Sequence, residues 1–226
     1  IKKMTVSYAI PLLVLLGMAW LIDFAEAPIP INLLSYAPFL GFFGFNFYSW
    51  LTILDSPEFM NGLPLRVPQL IRAKVVVYFL ATSWISLIFI VLMAWRLDEW
   101  ASLPTSIIVM FANSIYIVAL TAYLMGLRPN QAIFDASIMI WFWIGTVLPL
   151  LGLFLLSFTQ GDVSLYGNWW ERASQDGLAA TATMYDESLV QQGYMGMIII
   201  SVILLMASTL LWKLMDRRWG DSHFNN

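Results

Sequence analysis

The formally charged residues of this chain, and its one histidine, are confined to segments outside six long uncharged runs. Its 226 residues include 11 Lys and Arg, 14 Asp and Glu, one histidine and no cysteine. The most informative of these segments is Asp55–Lys74, DSPEFMNGLPLRVPQLIRAK, which places Glu58, Phe59, Leu63, Pro64, Arg66 and Gln69 within a turn and the helix start after it. A second segment, Gly126–Asp135, carries Arg128, Asn130 and Asp135. The remaining candidates are uncharged: Asn46, Tyr48, Asn113 and Tyr116 lie inside long apolar runs. Without cysteine there is no disulfide framework, thiolate metal site or catalytic thiol. His223 stands in a polar tail, so paired-histidine ligation of haem or copper inside the apolar part is excluded. A serine hydrolase needs a general base and a metalloprotease needs histidines or carboxylates at ligand spacing. The apolar runs hold neither, and no Gly-rich phosphate loop of the Walker type occurs. What remains is docking through charge and hydrogen bonding inside apolar helices.

Six uncharged runs must position these groups: Met4–Ile22, Ala27–Leu54, Val75–Trp95, Trp100–Leu127, Ala136–Gly161 and Ser188–Trp212. Each is about as long as, or longer than, the ~20 apolar residues that carry a helix across hydrocarbon. The composition agrees, with 60% hydrophobic and 11% charged residues, where soluble domains carry about 25% charged. We expect an all-α membrane protein forming one transmembrane domain. Its six spans fall near 4–22, 31–54, 75–95, 103–125, 136–158 and 192–213, with an outer loop over 159–191. No succession of n-region, h-region and cleavage site precedes the first run, which reads as a retained span.

With Ile1 on the cytoplasmic side, six crossings place Lys2, Lys3, Arg66, Arg72, Lys74, Arg128, Lys213, Arg217 and Arg218 inside, and only Arg96 and Arg172 outside. That bias orients both termini to the cytoplasm. The acidic residues Asp23, Glu26, Asp98, Glu99, Asp162, Glu171, Asp176, Asp186 and Glu187 then fall outside.

Local signals support these divisions. Pro28 and Pro30 end one helix and orient the next. Gly41 and Gly44 are spaced to share one face, so the second span is expected to pack closely on a neighbour. Pro68 suits the first turn of the third helix, and Arg72 and Lys74 mark its point of membrane entry. Trp95 and Trp100 flank a tight loop at headgroup level. Gly126 and Pro129 stop the fourth helix, and Asn130 is placed to cap a following one. The long outer segment, with Tyr166, Trp169 and Trp170, is expected to form short surface helices. Phe39–Phe47, Trp141 and Trp143 read as packing or lipid-facing surface rather than a ligand cage.

Ion-coupled carriers use ionisable residues within the membrane as relays, and none of the six runs contains one. Any transport would therefore draw its energy from a partner. At Asp55–Lys74 the chain resembles the permease subunits of ABC-2-type ABC transporters, through Glu58-Phe59, Leu63-Pro64-Leu65, Arg66 and Ala73-Lys74. Gly126-Leu127-Arg128-Pro129-Asn130, followed by Phe134-Asp135, is similar to the loop after span four in prokaryotic, particularly archaeal, members. The topology resembles theirs throughout.

The resemblance implies an exporter permease in a prokaryotic plasma membrane. It would pair with a second permease copy or homologue and rest on a separate cytoplasmic ATPase that binds ATP and magnesium. The chain itself would be no enzyme and would carry no cofactor, and nucleic acid is not an expected partner. Glu58, Phe59, Leu63, Pro64, Arg66, Gln69, Arg128, Asn130 and Asp135 would couple to the ATPase. Asn46, Tyr48, Asn113 and Tyr116 are candidates for lining a pathway, and hydrogen bonding to a neighbouring helix is an equal alternative for the two asparagines. The competing reading of the whole chain is a non-catalytic anchoring subunit of a larger membrane complex.

Overall fold

A computed structural model describes residues 6, 8–17, 32–48, 51, 67–126, 132, 134–158 and 187–220, with the backbone alone for 187–193. Among these residues there is no strand. The helices are α1 (Tyr8–Gly17), α2 (Leu33–Phe42), a 3-10 segment (Phe43–Asn46), α3 (Val67–Leu97), α4 (Leu103–Met125), α5 (Ala136–Phe158) and α6 (Glu187–Trp219). Four of them, α3 to α6, are long and apolar enough to cross a membrane. Of the other two runs, α1 is shorter and the helix in the second is interrupted at Phe43. The outer segment 159–186, the first loop with Pro28 and Pro30, and the charged tail from 221 lie outside the described residues.

The helix ends follow from local chemistry. Asn32 caps α2, its side-chain oxygen accepting from the Ser35 N–H at 2.8 Å. Pro68 is the second residue of α3 and Pro104 the second of α4, where a missing N–H costs nothing. α3 stops at Asp98, whose φ of 54° ends the helical path. Gly126 ends α4 at φ 56°, and a β-carbon there would come within 2.5 Å of the Trp219 ring. Glycine is needed at that position twice over, for backbone angle and for space.

At 31 and 33 residues, α3 and α6 outrun the third and sixth uncharged runs. Rising about 1.5 Å per residue they exceed a ~30 Å hydrocarbon layer, so their charged ends reach the headgroups. Lys74 departs from its expected place as a surface anchor. It is 4% exposed because it shares the inward face of α3 with Ile71, Tyr78 and Thr82. Its Nζ donates to the Leu51 carbonyl at 3.5 Å.

α4 is the hub. Its apolar window is 61% buried, against 17–28% for the other three spanning helices. α6 and α2 are the two helices most extensively packed on it, and Gly41 of α2 and Gly44 of the 3-10 segment rest on α4 as their spacing predicts. A β-carbon on Gly41 would come within 2.7 Å of Asn113 Cβ and 2.8 Å of the Met110 carbonyl; on Gly44 it would meet the Ser114 carbonyl at 3.0 Å. Exposed Leu80, Trp141, Leu148, Met206 and Leu210 cover the outward faces of α3, α5 and α6. Such faces suit lipid, which replaces the water that a soluble bundle would exclude.

Gly41→Ala should cost about 1–3 kcal/mol, the range for overpacking a close contact. Gly152→Ala, in α5, meets nothing within 4 Å and should be neutral or stabilise by up to about 1 kcal/mol. Denaturant unfolding of the two variants in one detergent checks the contrast.

Candidate functional site

Polar groups gather at three levels of the bundle. At the level where α2 begins, α3 and α5 end and α6 enters, Glu99 Oε2 accepts from the Leu33 N–H at 2.7 Å. Asn32 Nδ2 donates to the Ser157 carbonyl at 2.8 Å, and the Ser35 and Ser157 hydroxyls meet at 2.9 Å. Ser102 and Tyr194 share a hydrogen bond of 2.6 Å, which ties α6 to the start of α4. The acidic group at a helix N-terminus also complements the helix dipole. Burial nevertheless pushes the Glu99 carboxyl above its usual 4.5, the Leu33 N–H opposing in part.

The middle level is built around the break in the second run. Pro38 removes a donor from α2, and past Phe42 the helix tightens into the 3-10 segment. Two neighbours bond carbonyls of this stretch: Asn113 Nδ2 donates to Pro38 O at 2.9 Å, and the Tyr78 hydroxyl donates to Phe43 O at 2.8 Å. In a 3-10 helix residues i and i+3 eclipse, each turn rising about 6 Å. Phe42, Phe45 and Tyr48 accordingly form a ladder, with ring centroids 6.2 and 6.1 Å apart and planes 12° and 9° from parallel. Beside the break, the Tyr8 hydroxyl meets Ser86 Oγ at 2.5 Å. A crevice of about 10 Å³ lined by Tyr8, Thr82, Ser83, Ser86 and Ser114 opens there, near the lower limit for one water.

The third level is the opposite end, where α3 and α5 begin and α4 and α6 finish. Arg72 pairs with Asp216, joining α3 to α6. Trp219 Nε1 donates to the Tyr123 carbonyl at 3.2 Å, and Arg218 stacks 5.2 Å from the Tyr123 ring centroid. Asp135 caps α5, its Oδ1 accepting from Ser137 N at 2.9 Å and Ile138 N at 3.2 Å. Phe134 beside it is 90% exposed.

Of the residues expected to couple to an ATPase, Gln69 and Asp135 are exposed at this end. Asp135 spends its carboxylate on the helix cap as well. Glu58, Phe59, Leu63, Pro64, Arg66, Arg128 and Asn130 lie outside the described residues. The candidates for lining a pathway do not converge on one channel. Asn113 is fully buried between α4 and α2. Tyr48 and Tyr116 pack instead on a second cluster formed by Leu120, Met125, Ala132 and Phe142. Asn46 sits half-buried in the 3-10 segment. Sequence reasoning missed Tyr78, Glu99 and Ser157. A tyrosine deep in an apolar run was the available signal, since its hydroxyl must find a partner.

Among the described residues no group of acidic side chains could hold a metal ion. Comparisons with protein families, curated proteins and solved structures find no match to this chain.

Two outcomes test these contacts. Tyr78→Phe should lower stability by about 0.6–1.7 kcal/mol, the range for interhelical hydrogen bonds in membranes, with the helical signal in circular dichroism retained. A raised Glu99 pKa means that the folded protein holds the proton more tightly than the unfolded chain. Its contribution to stability is thus full below pH 4.5 and lost as pH rises through the folded value. Thermal unfolding should show a midpoint that falls over this interval in the wild type and is flatter in Glu99→Gln.

Proposed function

We propose that this chain is the permease subunit of an ABC-2-type ATP-driven exporter in a prokaryotic plasma membrane. On this reading it crosses six times with both termini in the cytoplasm, pairs with a second permease, and is driven by a separate ATPase that binds ATP and magnesium. One observation carries the reading most directly: no ionisable residue occurs in any of the six apolar runs, while charge collects at helix ends. A mover of solutes built this way has no proton or ion relay of its own. Its energy must enter at an end of the bundle.

The end bearing Gln69, Phe134 and Asp135 suits that entry, since it presents an exposed aromatic ring beside polar side chains. Glu58, Phe59, Leu63, Pro64, Arg66, Arg128 and Asn130 would extend the docking surface. α2 and the 3-10 segment are pressed on α4 through Gly41 and Gly44, so a pathway would run between two permeases rather than between these helices. Asn46, Tyr48 and Tyr116 would then act nearer that seam. The same close packing favours a second reading, an anchoring subunit with no pathway of its own.

Purification from native membranes decides between the two. The permease reading expects a co-purifying ATPase whose hydrolysis is stimulated by substrate. Arg66→Glu should abolish its docking while leaving the bundle folded. A wild-type complex with no ATP-hydrolysing partner, or unchanged assembly after the charge reversal, overturns the permease reading. Contacts made only through membrane-facing helices would support the anchor.

A further inference from the structure

We infer that the α6 end of the bundle carries a binding site for the headgroup of an anionic phospholipid, built by Lys213, Arg217 and the Arg72–Asp216 pair. At 100° per residue, positions 206, 210, 213 and 217 fall within an arc of about 60° on α6. All four are exposed: Met206 and Leu210 along the apolar part, then Lys213 and Arg217 at the charged end. Asp216 lies beside this stripe and holds Arg72 of α3 against it. With the Asp216 carboxylate paired to Arg72, the charges of Lys213 and Arg217 stay unbalanced among the described residues.

The nearby groups are otherwise committed. Arg218 lies over the rings of Tyr123 and Trp219, at 5.2 and 5.4 Å, on the side facing α4. Lys74 is buried against Leu51. Lys213 and Arg217 have no hydrogen bond or ion pair among the described residues. A like-charged pair four residues apart on a helix repels itself, which an external anion would relieve. The helix dipole accounts for Arg217 in the last turn of α6. It does not account for Lys213, because the dipole's effect fades within one turn.

The position selects a lipid over a soluble anion. Trp212, partly buried against the core, marks the interface one residue before Lys213. The exposed apolar stripe of Met206 and Leu210 then leads away from the cations toward mid-bundle. On α3, Val76 and Leu80 are 58% and 75% exposed and continue from Arg72 in the same direction. Phosphate at the cations with acyl chains along these stripes satisfies charge and apolar surface together.

Native mass spectrometry of the purified wild-type chain, after exchange into mixed phosphatidylglycerol and phosphatidylcholine micelles, tests the site. Phosphatidylglycerol should be retained preferentially. In Lys213→Gln/Arg217→Gln that preference should fall by about tenfold or more, in keeping with the contribution of basic residues at a membrane surface. Should the double variant misfold, Lys213→Gln and Arg217→Gln made singly should each lower the preference, and an unchanged preference in both overturns the site. Equal retention of the two lipids by the wild type overturns the site. So does an undiminished preference in a folded double variant, or displacement of the lipid by millimolar inorganic phosphate, which would mark a soluble-anion site.

Discussion

Every backbone polar group buried away from water needs a partner, and in this bundle that demand is sharpest at the interrupted second run. Pro38 and the 3-10 turn disturb the regular helical ladder there. α4 and α3 each place a donor on a carbonyl of this stretch, Asn113 on Pro38 and Tyr78 on Phe43. For these side chains to reach, α2 must lie against α4 at backbone distance, which Gly41 and Gly44 permit. This contact and the packing of α6 on α4 together put α4 at the hub.

The two ends of the bundle are closed by different means. At the Glu99 end, side chains cap and cross-link through neutral donors and acceptors, with one half-buried carboxylate. At the Trp219 end, the closure is ionic and aromatic, through Arg72–Asp216 and the stack of Arg218 on Tyr123. The second kind leaves cations unspent. Polarity at this end therefore outstrips what the fold consumes, and both the proposed ATPase contact and the proposed lipid site draw on that surplus.

Much of the architecture was legible because hydrocarbon is a severe filter. Runs free of charge had to be helices, and α4 and α5 begin and end where the fourth and fifth spans were expected. The spacing of Gly41 and Gly44 foretold a close approach without naming the partner. Lys74 misled, since a cation near a span's end usually anchors at the surface, and the inward periodicity of Ile71, Lys74 and Tyr78 outweighed that tendency. Asn113 was legible as either pathway or packing, and the choice between them needed Pro38 beside it. Asp135 was expected at a docking surface. It is exposed at the end of the bundle where α5 begins, and it also caps α5, which a helix start one residue later would have suggested.

Composition and charge placement alone determined that this is a helical, multi-pass membrane chain with its ionisable groups at the ends of its spans. Both properties follow from transfer free energies that act on each residue separately. Tertiary structure decided which helix sits at the centre, which polar side chains serve packing, and which cations remain uncompensated. Those outcomes depend on pairs of residues far apart in the chain, such as Asn113 with Pro38 and Arg72 with Asp216, and no local pattern encodes a distance between them.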